Sequence, residues 1–210
     1  MSILRIDASI QGPHSASSAL ADIAEAAWLE TAPDTKFVRR HIGNQPLPSD
    51  AWQHAVQASW LPEADRTDAQ SRALALANEL AAELRDSDGA ILALPFYNYG
   101  VSQHVKIWFD LAMAGGSQGE KLLDGKPVIL VTTRGGAYGP GTPRDGWDHN
   151  TAYLRRVVAD IWGADLTLIE REFTLVGVNP ALDPFKETAA AMQEAAHTAA
   201  AEAGRALAAR

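Results

Sequence analysis

The chain has 210 residues, a net charge of −8 at pH 7 and a hydrophobic content of 47%, which suffices for a sizeable core. Its acidity disfavours nucleic acid as a partner, since binding phosphates needs a basic face, and the absence of cysteine excludes disulfides, thiolate metal ligands and cysteine nucleophiles. The N-terminus does not resemble a signal peptide, and no apolar run approaches the roughly 18 residues of a membrane span, so we expect a cytoplasmic protein without membrane segments.

Hydrophobic periodicity predicts five strands that alternate with five helices. The strands are predicted at residues 2–7, 35–40, 89–94, 127–132 and 164–173. The helices are predicted at residues 17–31, 67–85, 102–113, 151–162 and from 183 onwards. Residues 89–94 and 127–132 are continuous apolar runs, as expected for a parallel sheet covered on both faces. The pattern predicts an α/β fold, a flavodoxin-like three-layer sandwich with a five-stranded parallel sheet in the order 2-1-3-4-5.

The segment 43–61 lies outside this alternation. It contains Pro46, Pro48 and the two tryptophans Trp52 and Trp60, and it is predicted to be irregular. The tryptophans belong either to the core or to a contact with a partner subunit. No repeat or linker divides the chain, so residues 1–210 are predicted to form a single domain.

The loop after the first strand, residues 8–18, is rich in small hydroxyl side chains. Ser9, Ser15 and Ser17 lie between a strand and the start of a helix. Their hydroxyls and the backbone N–H groups of the helix N-terminus are suited to hold one phosphate monoester. An ordinary serine N-cap is the alternative interpretation. The loop has neither G-x-G-x-x-G nor G-x-x-x-x-G-K-[ST], which argues against a dinucleotide or triphosphate site.

The loop after the third strand reads Pro95-Phe96-Tyr97-Asn98-Tyr99-Gly100 and holds three aromatic residues in four positions. Ligands of open α/β sheets bind at the carboxyl ends of the strands, where the strand order reverses. A flat aromatic cofactor is suited to such a wall. The alternative is that the rings cap the core.

The loop after the fourth strand contains Thr133-Arg134-Gly135-Gly136. Adjacent glycines allow the backbone to approach a ligand closely, and their N–H groups are suited to face negative charge on a reduced ring. A plain flexible loop is the alternative interpretation.

Together these loops resemble the FMN-dependent NADH-azoreductases, which are related to the NAD(P)H quinone dehydrogenases. The main match is Pro95-x-Tyr97-Asn98-Tyr99 with Ser102, Lys106 and Trp108-Phe109-Asp110, which is similar to the family signature P-x-Y-N-[FY]-x-x-[SP]-x-x-[LV]-K-x-[WY]-[FIL]-D. Thr133-Arg134-Gly135-Gly136 is similar to the family's S-R-G-G, and Asp148 with Tyr153-Leu154 fits its D…P-Y-L stretch.

The resemblance implies an enzyme that binds FMN and uses NADH or NADPH to reduce a quinone or azo compound by a ping-pong reaction. It also implies a homodimer with the pocket at the subunit interface. The cofactor-binding residues it implies are Ser9, Ser15, Ala16, Ser17, Pro95, Phe96, Tyr97, Asn98, Tyr99, Thr133, Arg134, Gly135 and Gly136. No side chain is strictly required as a catalyst, because the cofactor performs the redox chemistry.

Two features differ from the family pattern. Ala16 replaces a more usual Gln or Asn, and residues 111–124 are shorter and lack an aromatic-basic segment. The long loop 137–150 is predicted to fill the vacated space, with Tyr138 and His149 as substrate contacts. For His149 the alternative is an ordinary surface position.

Other functions remain possible at this stage. The departures are compatible with a redox-responsive FMN-binding protein that has little turnover. A phosphodiesterase acting on acyl carrier protein, an activity formerly ascribed to such sequences, finds no nucleophile or metal ligands here. The six histidines do not form a metal-binding motif, so no metal is predicted.

Overall fold

The computed structural model describes residues 1–210 and contains one five-stranded parallel sheet with the order β2-β1-β3-β4-β5. The strands are β1 (Ser2–Asp7), β2 (Lys36–His41), β3 (Gly89–Ala93), β4 (Pro127–Thr133) and β5 (Asp165–Arg171). The predicted fold class and strand order are therefore confirmed. Since all strands are parallel, their carboxyl ends share one edge of the sheet.

Six helices accompany the sheet: α1 (Ala16–Thr31), α2 (Ala51–Ser59), α3 (Asp68–Asp86), α4 (Gln103–Gly115), α5 (Thr151–Arg155) and α6 (Lys186–Ala208). A π-helical segment, Arg156–Ile161, continues α5, and a 3₁₀ segment, Pro180–Phe185, precedes α6. The sequence Thr67-Asp-Ala-Gln70 is typical of a capping box, and the box is present at the start of α3: the Thr67 hydroxyl accepts from the Gln70 N–H, and the Gln70 side chain accepts from the Thr67 N–H. No helix is long and apolar enough to cross a membrane.

Helix α2 corrects the prediction that the segment 43–61 is irregular. Its buried residues are Ala51, Ala55 and Ala58, which lie on the face packed against α3 and α4. The helix has only nine residues and follows the prolines Pro46 and Pro48, so its sequence pattern is short, and packing against α3 and α4 stabilises it. Trp52 and Trp60 are not in the core, since they are 49% and 78% exposed.

The sheet separates two apolar layers, as β3 shows most clearly. All five residues of this strand are buried. Ala90 and Leu92 face the layer formed with α2, α3, α4 and α5, whereas Ile91 and Ala93 face α1 and α6. Helices α1 and α6 approach closely, because a Cβ on Gly204 would lie 2.1 Å from the Ala24 carbonyl oxygen. This two-sided cover explains the uninterrupted apolar sequence of the central strands.

Candidate active site at the carboxyl edge of the sheet

A cavity of about 390 Å³ opens at the carboxyl edge of the sheet, within the range of roughly 300–1,000 Å³ usual for ligand pockets. Loops after β1, β3, β4 and β5 form its walls. The lining residues are Ser9, Gln11, His14, Ala16, Ser17, Pro95, Phe96, Tyr97, Asn98, Thr133, Gly135, Gly136, Tyr138, Arg144, Thr174, Leu175 and Val178. We call this space the edge cavity.

The loop after β1 places the N-terminus of α1 at the edge cavity. Ser15 is the N-cap: its Oγ accepts from the Ser18 N–H at 3.0 Å and lies 3.2 Å from the Ser17 Oγ. Ser15 is buried and does not line the edge cavity, but Ala16 and Ser17 do. Because the first N–H groups of a helix have no intrahelical partner, this end of the cavity is suited to an anion. The loop can therefore perform both roles at once, since Ser15 caps the helix while Ala16 and Ser17 face the space in which an anion would bind.

The loop after β3 is a tight turn in an unusual backbone conformation. Tyr97 and Gly100 exchange backbone hydrogen bonds of 3.3 and 3.0 Å, while Asn98 and Tyr99 between them have φ values of 48° and 68°. Positive φ is tolerated by asparagine but is uncommon and strained for a bulky residue such as tyrosine. Strain of this kind is concentrated at functional sites.

The side chain of Tyr97 joins the first two loops. Its hydroxyl accepts from the Ile10 N–H at 3.2 Å and lies 3.2 Å from the Ser9 Oγ. These bonds hold the loop after β3 against the loop after β1, so the phosphate-sized end of the edge cavity and its aromatic wall are fixed relative to each other.

Aromatic rings continue from the edge cavity to its mouth. Phe96 and Tyr138 pack edge to face with their centroids 4.7 Å apart, and both line the edge cavity. Tyr99 does not line it; its ring is 42% exposed and packs against Trp147 at 5.7 Å. The predicted aromatic wall thus has an inner part at Phe96 and an outer part at Tyr99.

The glycines after β4 lie against the loop after β5. The Leu175 N–H donates to the Gly135 carbonyl, and the Phe173 N–H donates to the Gly136 carbonyl, both at 3.2 Å. A Cβ on Gly135 would lie 2.6 Å from the Leu175 Cδ1. Glycine at this position therefore keeps the wall of the edge cavity thin.

Arg134 is predicted from the resemblance to bind cofactor, but its side chain does not line the edge cavity. It is 6% exposed, and its guanidinium lies 2.6 Å from Asp148 and 2.5 Å from Glu170, and also donates to the Thr151 hydroxyl at 2.6 Å. Burial opposes ionisation, yet these carboxylates outweigh it and raise the pKa of Arg134. A buried charge needs such partners, so this side chain anchors the long loop rather than contacting the cavity.

The carboxylate of Asp148 completes this anchor, which we call the Arg134 cluster. Burial acts to raise its pKa, but hydrogen bonds from Thr151 and Asn150 and the charge of Arg134 outweigh burial and hold the pKa below its ordinary value. A cavity of about 500 Å³ on the outer side of the cluster is lined by Asp148, Glu170 and Glu172 together with residues of α6. Its acidic lining makes it a poor site for a phosphate.

His149 does not line the edge cavity either. Its side chain is exposed, and its backbone N–H donates to the Tyr99 carbonyl at 3.2 Å. Tyr138, the other predicted substrate contact, does line the edge cavity. The long loop therefore reaches the cavity through Tyr138 and is tied to the aromatic loop by backbone at His149.

Three groups of lining residues are not among the predicted site residues. Gln11 and His14 belong to the loop after β1. Thr174, Leu175 and Val178 belong to the loop after β5; its position follows from the rule that all parallel strands end at the same edge. Arg144 lies in a Gly- and Pro-rich loop that has no periodic signal, so only the tertiary structure brings it to the cavity.

Comparison with known proteins agrees with this architecture. A family model described as a flavodoxin-like fold matches residues 1–201. An FMN-dependent NADH:quinone oxidoreductase of Frankia casuarinae is 36% identical over 188 residues, which cover 87% of this chain and 89% of that protein. An FMN-dependent NAD(P)H:quinone oxidoreductase of Pseudomonas aeruginosa is 33% identical, over 81% of this chain and 86% of that protein.

Solved structures show the same fold at lower identity. An azoreductase from Bacillus anthracis superposes with a TM-score of 0.79 at 18% identity, covering 98% of this chain and 99% of that chain. An FMN-dependent NADH-azoreductase from the same species, solved in complex with FMN, gives a TM-score of 0.68 at 15% identity, covering 95% of this chain and 100% of that chain. With the sequence relatives, these findings establish that the chain belongs to the flavodoxin-like family that includes the FMN-dependent NADH:quinone oxidoreductases.

Proposed function

We propose that this protein is an FMN-dependent NAD(P)H oxidoreductase that reduces quinones, and azo aromatics as a second acceptor class, and that residues 1–210 act as one FMN-binding domain. The observation that carries the proposal is the lining of the edge cavity. A helix N-terminus lies at one end, aromatic rings form the wall and glycine backbone closes the far side, with no carboxylate anywhere in the lining. Such a donor set suits a phosphomonoester joined to a flat polar ring.

Each loop has a separate task in this proposal. The N-terminus of α1, with Ser9, Ala16 and Ser17, holds the phosphate, and Ser15 shapes that end as the N-cap. Phe96 and Tyr97 support the ring, and the Asn98 backbone N–H donates to its edge. Thr133, Gly135 and Gly136 offer backbone to the opposite edge. Pro95 fixes the start of the aromatic turn, and Arg134 acts through the long loop.

When bound, FMN would supply reversible two-electron transfer between NADH or NADPH and the acceptor, and we propose that the two substrates use the pocket in turn, in a ping-pong reaction. The protein's own residues exclude water and orient the reactants. Tyr138 and Tyr99 offer aromatic surface on which an acceptor stacks. No general acid or base from the chain is needed for this role.

We also propose a homodimer. Trp52 and Trp60 are exposed, and Trp52 also lines a groove of about 520 Å³ beside α4, in which Leu47 and Ile107 lie among polar and charged residues. Exposed tryptophans beside such a mixed groove are suited to association. Light scattering during size-exclusion chromatography tests the mass. Cytoplasmic location stays a prediction.

The proposed function is tested on purified protein. The protein should be yellow or take up added FMN, release FMN on denaturation, and oxidise NADH or NADPH when a benzoquinone is present. A colourless protein that takes up no flavin contradicts the proposal. Flavin that is bound but bleached slowly by both nucleotides under anaerobic conditions would instead favour a redox-responsive binding protein.

A variant of the aromatic turn tests the site itself. Asn98→Pro cannot adopt the φ of 48° found at this position, since proline fixes φ near about −65° and lacks the N–H donor. We expect flavin binding and turnover to be lost. Asn98→Gly, which accepts positive φ and keeps the N–H, is the matched control and should retain both. Equal turnover in Asn98→Pro and wild type would show that this turn does not hold the cofactor.

A further inference from the structure

The edge cavity has an unusual charge for this protein. The chain carries a net charge of −8, yet none of the residues lining the cavity is acidic. Arg144 is the one permanently charged side chain in the lining. A cleft lined by a single sign of charge raises the local concentration of the oppositely charged ligand.

The guanidinium of Arg144 is free to meet such a ligand. It forms no ion pair, in contrast to Arg134 in the same loop. Its Nη1 donates to the Tyr138 hydroxyl at 3.3 Å, and its Cζ lies 5.7 Å from the centroid of the Tyr138 ring. These contacts hold the side chain over an aromatic surface and leave its other N–H groups available.

The position of Arg144 separates it from the phosphate end. It belongs to the loop after β4, whereas the N-terminus of α1 follows β1, and β3 lies between these two strands. Adjacent strands are about 4.8 Å apart, so the roots of the two loops are separated by roughly 10 Å. The Arg144 side chain itself lies beside the glycines after β4, because its Nη1 would be 3.4 Å from a Cβ on Gly136. Arg144 is therefore placed for a second negative charge, distinct from a phosphate held at α1.

The surroundings of Arg144 indicate what carries that charge. Its side chain is exposed, and the outer aromatic rings of Tyr99 and Trp147, 42% and 51% exposed, belong to the same aromatic row as Tyr138. A ligand arriving from solvent meets aromatic surface and a free guanidinium together. This combination suits a flat ring that bears an anionic group.

We propose that Arg144 is a specificity-determining residue that selects aromatic acceptors carrying a carboxylate or sulfonate over neutral ones. The inference rests on the proposed function and names its substrate class. The reaction is balanced as NAD(P)H + H⁺ + quinone giving NAD(P)⁺ + hydroquinone, and the anionic substituent is unchanged. Arg144 binds that substituent and takes no part in electron transfer.

The test compares a naphthoquinone sulfonate with unsubstituted naphthoquinone, using Arg144→Gln, Arg144→Lys and the control Arg72→Gln. Arg72 is an exposed residue of α3 that does not line the edge cavity. For Arg144→Gln we expect KM for the sulfonate to rise about three- to tenfold, the range between an exposed ion pair and a charge-assisted hydrogen bond. KM for the neutral quinone should stay within about twofold of wild type, because this quinone has no anionic group for Arg144 to bind. Comparing each variant with wild type on the same quinone cancels the intrinsic reactivity of that quinone.

A conservative variant, a control variant and the salt dependence separate a charge effect from a general structural effect. Arg144→Lys should retain part of the preference because it keeps the charge, and Arg72→Gln should behave as wild type. High salt should reduce the wild-type preference, since exposed charges are screened. Equal KM changes for both quinones, or no change for either, would overturn the proposal.

A binding measurement keeps the inference separate from the proposed function. Naphthoate and naphthamide differ in charge but are not reduced, and their dissociation constants can be measured by calorimetry on the purified protein as it is isolated. Naphthoate should bind more tightly, and Arg144→Gln should remove the difference. Absence of NADH oxidation with neutral quinone contradicts the proposed function alone, whereas equal affinity for the two naphthalene compounds contradicts the role of Arg144.

Discussion

The loops on the β1–β3 side of the edge cavity and those on its β4–β5 side are held in place by different interactions. On the first side, Ser15 caps α1 and the Tyr97 hydroxyl joins two loops through neutral hydrogen bonds. Beneath these loops, the buried Arg5 pairs with Asp7 and Glu25. On the second side, the long loop is anchored by the buried ion pairs of Arg134 with Asp148 and Glu170. The contacts between the loops of the first side are therefore neutral, whereas the long loop of the second side is held by charged side chains.

The stability of the two walls should therefore depend on pH in different ways. Neutral hydrogen bonds keep their contribution across pH, whereas a carboxylate anchor loses its contribution when it is protonated. The contrast also holds within one loop, because Arg134 is buried and paired while Arg144 is exposed and free. One arginine holds the wall, and the other is available to a ligand.

The largest expected effect comes from removing the anchor. Arg134→Met leaves Asp148 buried without its cation, which we expect to lower the free energy of unfolding by about 2–3 kcal/mol, less than for a fully buried pair because Glu170 is partly exposed. Urea denaturation measures this value. Arg144→Met is the matched control in the same loop and should stay within about 0.5 kcal/mol. Equal losses of unfolding free energy in the two variants would contradict the assignment of Arg134, and not Arg144, as the structural anchor of the loop.

Acid should weaken the anchor of the long loop. The pKa of Asp148 is lowered in the folded protein, so its stabilisation is fully present above the ordinary carboxyl pKa of about 4 and is lost as pH falls through the folded value. The stability difference between wild type and Asp148→Asn should therefore shrink as pH falls below about 4. Denaturation curves over this range provide the measurement, and a pH-independent difference would contradict the assignment.

The β1–β3 wall should respond to loss of the helix cap. Ser15→Ala removes the side-chain acceptor for the Ser18 N–H, at a typical cost of about 1 kcal/mol. The loss should be the same at neutral and mildly acid pH, and Ser15→Thr should restore most of it. Flavin affinity should fall with the cap, because the N-terminus of α1 is less ordered. A strongly pH-dependent loss would argue that this wall is not neutral.

The smallest effect is expected at the joint between the first two loops. Tyr97→Phe removes the acceptor for the Ile10 N–H and should cost about 0.5–1 kcal/mol. Thermal unfolding of the two proteins tests this, with Tyr138→Phe as a matched loss of a hydroxyl on the other wall. A loss of unfolding free energy well above about 2 kcal/mol would mean that the Tyr97 hydroxyl stabilises more than the contact between these two loops.

Much of the architecture is determined by the sequence alone. The continuous apolar runs of β3 and β4 indicated a parallel sheet covered on both faces. The family signature in Pro95–Asp110 indicated the loop after β3 as part of the site, and this loop lines the edge cavity. Local signals also sufficed for Thr67, where the capping box lies entirely within four residues. These features depend on short-range patterns, which a sequence displays directly.

The remaining features were decided by tertiary structure. Helix α2 spans only nine residues, too short for the sequence pattern to identify it beside two prolines. Arg134 and Arg144 belong to the same loop, and the sequence alone does not distinguish their roles. Arg134 pairs with carboxylates that lie 14 and 36 residues away in the chain. Its side chain therefore lies outside the edge cavity because β4, β5 and the long loop bring these carboxylates to it. Arg144 stays free because no carboxylate is brought to it. Pairing of charges over such separations is a property of the folded chain, and it determines which arginine holds the site and which one faces a ligand.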